Sequence, residues 1–338
     1  DNHYAPTDLE TTLAVADAIE STGLRGTVAR GMYGHPTDIS DEFGFDVLDR
    51  TFLYSVDEEI DITRAAMEAR PHDSKVEIWP CPENISYNPQ ELIVRAVELA
   101  REFGTRWHSH LAEDDTEQGL YREHFGAGLV EWLHKEGLLE GATFAHCIWL
   151  EDKDIELLAE ARSGIAHCPV SNQYLATGIM RLPDLKSANA VIGLGSDGSC
   201  CGNQDLVQAM RHAVLLQRVN TLNPTIVTAQ EALEMATLGG ARQVGIDAGQ
   251  LAPDKQADLA VINLDAPQTK PFNNAVGTLV YNGRGSDVET TIIGGQVVYE
   301  DGCCIMVDEI AVMEEVQARA DELFDRLELD HFRVHWQL

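Results

Sequence analysis

Short apolar runs alternate with amphipathic segments along most of the chain. Between residues 25 and 219, six apolar runs are each followed by a segment whose apolar residues recur with helical spacing. After Asn88-Pro89, which we expect to cap and open a helix, Leu92, Ala96 and Leu99 share one helical face. Strands that alternate with helices predict a parallel sheet with both faces covered.

Four successive apolar runs end in side chains that bind metals or carry protons. They are His110 with Glu113, His146, His167 and Asp197. In a closed barrel the carboxyl ends of all strands surround one mouth, whereas a doubly wound sheet places its site at a single switch point. The pattern therefore predicts a (β/α)8 barrel with a site at that mouth.

The octet of residues 106–113 brings two histidines and a glutamate close together in sequence. His108 and His110 stand two apart in a predicted strand, so both rings should lie on one face. Glu113 follows where the strand should turn into a loop. The octet alone also fits two core histidines and a helix-capping glutamate, but the later strand ends favour a site.

Two capping boxes predict where helices begin. Thr7-Asp-Leu-Glu10 should start the first helix, which we expect to stop at Gly23. Thr228-Ala-Gln-Glu231 should start a later helix that ends at Gly239-Gly240.

The pattern changes after Gly249. Residues 257–264 and 290–299 are predicted strands, and the second turns at Gly294-Gly295 into a hairpin. Residues 307–328 are a predicted charged helix, whose apolar stripe we expect to pack onto another surface. We expect three regions: a barrel over 1–250, part of a small β-domain over 251–306, and a helix with a tail over 307–338.

The charge of the chain is far from balanced. Lys and Arg number 24 against 56 Asp and Glu, which gives a formal net charge of −32. Such a surface should repel nucleic acid and anionic membranes. It is typical of the lysine-poor proteins of salt-loving organisms, and also of ordinary low-pI cytosolic enzymes. No stretch is apolar enough to span a bilayer, so we expect no membrane association.

The seven cysteines point to a reducing compartment. They lie at positions 81, 147, 168, 200, 201, 303 and 304. Their spacing matches neither a disulfide framework nor a zinc finger, and we therefore expect a cytoplasmic protein.

The side chains at the strand ends also favour one kind of chemistry. Histidine and aspartate beside a glutamate suit a borderline-soft divalent ion such as zinc. Such an ion lowers the pKa of bound water toward ~7 and makes hydroxide available at neutral pH. One carboxylate must then take the hydroxide proton, and a second acid must protonate the substrate. The sequence thus predicts a metal-dependent hydrolytic site.

Several motifs resemble those of the amidohydrolase superfamily. They are His110-Leu-Ala-Glu113, Phe144-Ala-His-Cys147, His167-Cys-Pro-Val-Ser-Asn172 and Gly195-Ser-Asp-Gly-Ser199. The most similar branch is cytosine deaminase-like, with guanine, 8-oxoguanine, adenosylhomocysteine and triazine aminohydrolases. Thr237-Leu-Gly-Gly-Ala241 and residues 249–258 are similar to the stretch that joins that family's barrel to its small β-sandwich. Residues 167–172 and 213–219 look most like 8-oxoguanine deaminases.

The resemblance implies a role for each strand-end residue. It implies that His110, Asp197 and His146 ligate one Zn²⁺ per chain, with Fe²⁺ as an alternative. Asp197 would also act as general base, and Glu113 would carry a proton to a ring nitrogen and then to the leaving amine. His146 would orient the hydroxide or stabilise the oxyanion. Asn172, Ser199 and Cys200 are candidate substrate-binding residues, while His108 and His167 are candidates for supporting roles.

The resemblance also implies an activity. It is hydrolytic deamination of an aminated N-heterocycle, in which metal-bound hydroxide attacks the amine-bearing ring carbon and releases ammonia. The expected partners are this small molecule and water, and we expect a homo-oligomer. The alternatives are removal of chloride or an alkylamine from a triazine, and a catalytically inactive barrel that serves as an assembly subunit.

Two departures from the family pattern stand out. The family's first-strand His-x-His pair has no counterpart before residue 108, and His3 resembles the end of the second strand. We therefore expect the first strand of the barrel and the amino-terminal part of the sandwich to be missing from this sequence, as in a partial reading of a longer protein. We expect a chain that began at Asp1 to bind metal weakly or not at all. The second departure is Cys200-Cys201-Gly202, where relatives carry small residues and asparagine.

Overall fold

The computed structural model describes residues 2–4, 8–34, 54–72, 74–86 and 88–329. Within these ranges seven parallel strands follow one another in chain order. They are β1 Asn2–Tyr4, β2 Gly26–Met32, β3 Val76–Pro82, β4 Trp107–Leu111, β5 Ala142–His146, β6 Gly164–His167 and β7 Val191–Leu194. Strands β1–β3 and β4–β7 each form a continuous parallel sheet, and a parallel bridge between Asn84 and His110 joins the two.

Helices lie between these strands along the chain and also follow β7. They are α1 Leu9–Ser21, α2 Val56–Ala69, α3 Gln90–Phe103, α4 Glu117–Phe125, α5 Leu129–Lys135, α6 Asp152–Ala161, α7 Pro169–Tyr174, α8 Leu182–Ser187, α9 Leu206–Thr221, α10 Ala229–Glu234, α11 Gly240–Val244, α12 Ala275–Asn282 and α13 Glu309–Arg326. Strands alternate with helices as the apolar pattern predicts, so both faces of the parallel sheets are covered. No helix in the described ranges is long and apolar enough to cross a membrane.

The main apolar core lies between β4–β6 and the helices outside them. Trp107 and Phe144 meet edge to face, with ring centroids 5.3 Å apart, and both are almost completely buried. The Trp107 indole N–H donates to the Leu138 carbonyl at 3.2 Å. Because replacing such a buried aromatic by alanine typically costs about 3–5 kcal/mol, this pair holds the two strands that carry His110 and His146 in register.

The helix after the second capping box does not end at Gly239-Gly240. The capping box at Thr228 is confirmed, but a π-helix over Met235–Gly239 leads directly into α11. A Cβ on Gly239 would overlap the Ile192 carbonyl oxygen of β7, and one on Gly193 would lie 2.9 Å from the Gly240 Cα. These glycines therefore permit close packing of helix on strand and are not a stop signal.

Two other predicted caps differ in detail. Asp8 caps α1 by accepting from the Thr11 N–H, while Thr7 lies outside the described residues. Pro89 occupies the N-cap of α3 without a side-chain hydrogen bond. Asn88 instead donates to the Asn84 carbonyl at 2.9 Å, which fixes the loop after β3.

The carboxyl-terminal part forms an antiparallel sheet. Its strands are β8 Leu259–Ile262, β9 Val288–Ile293, β10 Gln296–Glu300 and β11 Cys303–Cys304, with 3-10 turns at Pro267–Thr269 and Gly285–Asp287. The predicted hairpin turn at Gly294-Gly295 is confirmed. No residue of α13 is buried among the described residues. The prediction that its apolar stripe packs onto another surface stays a prediction.

Candidate metal centre and active site

His110 lies near the end of β4, where the loop after β3 contacts it. Its Nδ1 lies 2.6 Å from the Glu83 carbonyl oxygen and 3.5 Å from the Glu83 carboxylate. The carbonyl can only accept, so Nδ1 carries the proton and the lone pair lies on Nε2. Burial alone would lower the pKa of His110, but Glu83, Glu113 and Asp197 together raise it.

His146 is the last residue of β5 and adopts a left-handed backbone with φ 70°. Its Nδ1 lies 3.0 Å from the Asn172 amide oxygen, which fixes the same tautomer as in His110. Burial, and next the nearby His110, lower the pKa of His146 to about 4. The ring is therefore neutral at pH 7, the form that binds metals.

Asp197 follows β7 in a turn, also with a left-handed backbone, φ 64°. The Ser171 hydroxyl donates to its Oδ2 and the Gly198 N–H donates to its Oδ1 at 2.7 Å. Burial alone would raise the pKa of Asp197. The hydrogen bond from Ser171, the nearby His146, the Gly198 N–H and His110 outweigh it and lower the pKa. The carboxylate is thus held in its ionised form.

These three side chains converge. One ligand atom each from His110, His146 and Asp197 lies within 4.8 Å of the other two. The two imidazole rings stack with centroids 5.3 Å apart and planes 17° from parallel. Two imidazole nitrogens and a carboxylate are a common three-ligand set of catalytic divalent-metal sites. The residues present therefore fit a zinc-type metal.

Glu113 lies beside this cluster. Its Oε2 is 3.5 Å from His146 Nε2, and burial raises its pKa above the ordinary range. Its loop is fixed by the buried Glu117, whose Oε2 accepts from the Ala112 N–H at 2.9 Å and from the Ser86 hydroxyl at 2.8 Å. Glu113 is thus a protonatable group held next to the three converging ligands.

The other predicted site residues are placed at different depths. Asn172 is buried beneath His146. Ser199 and Cys200 are exposed and begin a 3-10 turn two residues after Asp197. His108 and His167 are both buried. His108 contacts the Thr143 hydroxyl at 2.9 Å, and neither ring nitrogen of His167 has a hydrogen-bond partner among the described residues.

Sequence reasoning missed Glu83, Ser171 and Glu117. Glu83 directly follows β3 and Ser171 lies inside the quoted motif of residues 167–172, so both positions offered a signal. Glu117 offered none, because a glutamate in the first turn of a helix is ordinarily a solvent-exposed residue that favours the helix dipole. Its burial follows from the contacts of the loop.

A cavity of about 690 Å³ lies at the opposite ends of the strands. It is lined by Gly26, Lys75, Arg106 and Gly141, which stand at or just before the amino ends of β2–β5. In barrel enzymes the carboxyl ends carry the chemistry. The candidate site is therefore the cluster around His110 and not this cavity.

Residues 1–298 match the model of the amidohydrolase family. The chain belongs to this family. The predicted resemblance, which rests on motifs spread from residue 110 to residue 258, is confirmed. His110, His146 and Asp197 lie inside the matched range.

Two proteins of similar sequence are named as deaminases. The chain is 35% identical over 315 residues to 5-methylthioadenosine/S-adenosylhomocysteine deaminase of Pelotomaculum thermopropionicum, covering 92% of this chain and 69% of the relative. It is 34% identical over 313 residues to 5'-deoxyadenosine deaminase of Methanothermobacter thermautotrophicus, covering 91% and 70%. Amidohydrolases of this kind are hydrolases that act on C–N bonds, in agreement with the predicted enzyme class.

Solved structures share the fold. A zinc complex of atrazine chlorohydrolase from Arthrobacter aurescens superposes with a TM-score of 0.84 at 23% identity, over 94% of this chain and 71% of that one. An adenosine deaminase from Xanthomonas campestris with bound zinc gives 0.81 at 24% identity, over 91% and 68%. These likenesses confirm the predicted fold class, a barrel of the amidohydrolase type.

Proposed function

We propose that the protein is a metal-dependent aminohydrolase that releases ammonia from an aminated N-heterocycle. The observation that carries this proposal is the convergence of His110, His146 and Asp197 at the carboxyl ends of three strands, with Glu113 beside them. A convergent set of ligands next to a protonatable carboxyl group is the arrangement that metal-assisted hydrolysis requires.

His110, His146 and Asp197 would hold one divalent metal, and zinc suits this donor set best. When bound, the metal supplies Lewis acidity and lowers the pKa of a water molecule toward ~7. Zinc in the atrazine chlorohydrolase and the adenosine deaminase supports this choice over iron.

Asp197 serves as general base. Its lowered pKa keeps the carboxylate ionised at neutral pH, ready to accept the proton of the attacking water. Ser171 and the Gly198 N–H occupy one position on each oxygen and so fix the direction of the remaining lone pairs. Both groups therefore position Asp197.

Glu113 serves as the proton carrier. Its raised pKa makes the protonated form more accessible than that of an ordinary glutamate, so it can give a proton to a ring nitrogen and later to the departing amine. His146 stands 3.5 Å away and is held by Asn172 in the tautomer that offers Nε2 to the site. Asn172 is thus proposed to position His146, and Ser199 and Cys200 are proposed to meet the substrate at the rim.

The substrate class is proposed from the relatives. The named relatives act on 5'-substituted adenosines, which makes a 6-aminopurine nucleoside the first candidate. The motif of residues 167–172 favours an 8-oxoguanine-like base as the second candidate. Both substrates carry an amine on a ring carbon beside a ring nitrogen, which is the group that Glu113 would protonate.

A substrate panel tests the proposal. Zinc-loaded protein is assayed for ammonia release from 5'-methylthioadenosine, S-adenosylhomocysteine, 5'-deoxyadenosine, 8-oxoguanine and guanine, and for chloride release from atrazine. Ammonia from a purine that disappears in Asp197→Asn supports deamination, and the preferred purine decides between the two candidates. Chloride release without ammonia would favour the triazine alternative. No turnover by protein that carries one zinc per chain would favour the inactive barrel.

A further inference from the structure

Two adjacent thiols stand at the rim of the site. Cys200 and Cys201 lie in the one-turn 3-10 helix Ser199–Cys201, and their Sγ atoms are 3.4 Å apart. Cys200 is exposed whereas Cys201 is buried. Cys200 is therefore the accessible nucleophile, and the buried Cys201 thiol is in contact with it.

The turn that holds the buried member of the pair packs next to the proposed general base. The Ser171 hydroxyl donates to Asp197 Oδ2. The 3-10 turn of Cys201 packs against the helix of Ser171, where a Cβ on Gly202 would lie 3.0 Å from the Val170 side chain. Gly202 has a φ of 137°, which is open to glycine but strained for other residues. Ring closure at Cys201 would therefore move a turn that lies beside the hydrogen bond from Ser171 to Asp197.

We propose that Cys200 and Cys201 are a modification site, which closes to a vicinal disulfide by exchange with a low-molecular-weight disulfide and slows turnover by displacing Ser171 from Asp197. The effect on turnover rests on the proposed function, whereas formation of the disulfide does not.

The exchange balances in two steps. The Cys200 thiolate attacks one sulfur of the reagent RSSR, which breaks its S–S bond, forms a mixed disulfide and expels RS⁻. The Cys201 sulfur then attacks Cys200 Sγ, which forms the ring and expels a second RS⁻. The two thiol protons leave with the two RS⁻ groups as RSH, so the protein loses two electrons and RSSR gains them. Cys200 is exposed and Cys201 is buried, in keeping with Cys200 reacting first.

Ring closure requires a small movement and gives a strained product. The two sulfur atoms must approach from 3.4 Å to the ~2.0 Å of a disulfide bond. Neighbouring Cα atoms are only ~3.8 Å apart, which is shorter than the usual separation across a disulfide. Strained disulfides are easily reduced, so the modification should reverse with a thiol.

The chain contains a matched control pair. Cys303 and Cys304 are also adjacent, but they form β11, paired with Glu300 and Tyr299 of β10. Successive side chains of a strand point to opposite faces of the sheet. Cys303-Cys304 should therefore not close under conditions that close Cys200-Cys201.

Mass spectrometry tests the modification itself. Zinc-loaded protein is treated with 2-hydroxyethyl disulfide, quenched by alkylation and digested. We expect a loss of about 2 Da, two hydrogens, in the peptide that holds Cys200 and Cys201. The peptide that holds Cys303 and Cys304 should show no such loss, and its exposed Cys303 should carry a mixed disulfide or an alkylated thiol. A stable mixed disulfide on Cys200 without ring closure would overturn the proposal, and so would equal closure of both pairs.

Activity tests the consequence. Ring closure should lower kcat by about tenfold to a hundredfold, since small misplacements of catalytic groups have effects of this size, and dithiothreitol should restore it. Each variant is compared with its own reduced form: Cys201→Ser should lose the ring and the reversible inhibition, whereas the double variant Cys303→Ser/Cys304→Ser should keep both. Inhibition that persists in Cys201→Ser would overturn the proposed consequence. If no substrate turns over, the proposed function fails, and the mass result still decides the modification.

Discussion

His110 and His146 are each oriented by one hydrogen bond at Nδ1. The rings stack 5.3 Å apart, and each Nδ1 is tied to an oxygen acceptor, the Glu83 carbonyl in one case and the Asn172 amide in the other. Both acceptors fix the Nδ1–H tautomer, so both histidines present Nε2 with its lone pair. The ligand set is therefore arranged by neighbouring groups that themselves bind no metal.

Asn172→Ala should weaken metal binding. The variant removes the acceptor that orients His146, and partners of this kind typically contribute about 10–100-fold in metal affinity. Competition with a chromophoric chelator measures the zinc dissociation constant. The matched control is Gln173→Ala in the same helix, an exposed neighbour that contacts Pro169 and His212 instead. Equal zinc affinity in the two variants would contradict the positioning role of Asn172.

Asp197→Asn should lower turnover by at least about 10²-fold, the low end of a general-base contribution, with little change in Tm. The amide cannot take up the proton, yet asparagine tolerates the left-handed backbone of this position, φ 64°. Asp197→Ala is the comparison, because alanine fits this backbone less well and should also lower Tm. Near-normal turnover in Asp197→Asn would contradict the role of Asp197 as general base.

The sequence was sufficient to place the three proposed metal ligands at neighbouring strand ends, but not to find the groups that hold them. His110, His146 and Asp197 stand at ends of consecutive strands, a position that the alternation of apolar runs and helices locates without a structure. Glu83 reaches its partner from the loop after β3 and Ser171 from helix α7 after β6, and such contacts have no sequence period. The error at Gly239-Gly240 has a similar origin, since glycine there serves close packing against β7 and not the end of a helix.

Glu117→Gln should destabilise the protein and loosen the loop that carries Glu113. All four contacts of the carboxylate are donors: the Ala112 and Asp114 N–H groups, the Ser86 hydroxyl and the Asn84 amide. A glutamine would turn its own N–H₂ toward two of them, at a cost of about 1–3 kcal/mol for the unsatisfied donors. Denaturant unfolding measures the loss, and Glu123→Gln on the same helix is the exposed control.

The effect of Glu117→Gln on the free energy of unfolding should depend on pH in a definite direction. Burial raises the pKa of Glu117 in the folded state and outweighs its four hydrogen-bond donors, which lower the pKa. The native protein therefore holds this proton more tightly than the unfolded chain does. The stability that Glu117 contributes relative to glutamine is then fully present below the unfolded pKa and falls as pH rises through the folded pKa. The difference in unfolding free energy between wild type and Glu117→Gln should shrink from pH 4 toward pH 7. A difference that grows over this range would show that the buried carboxylate is stabilised as a charge.

Stability should rise with salt. With 56 acidic against 24 basic residues, repulsion among like charges outweighs the exposed ion pairs, each of which contributes about 0–1 kcal/mol. The Debye length falls from ~30 Å at 0.01 M to ~10 Å at 0.1 M and ~3 Å at 1 M, so most of the screening is complete at moderate ionic strength. Tm measured in sodium chloride and in sodium thiocyanate should rise by similar amounts up to about 0.1 M, where screening depends on ionic strength alone. Above that concentration the two curves should separate, because specific salt effects on apolar hydration then add to screening. A Tm that stays flat or falls in both salts below 0.1 M would mean that the acidic surface does not limit stability.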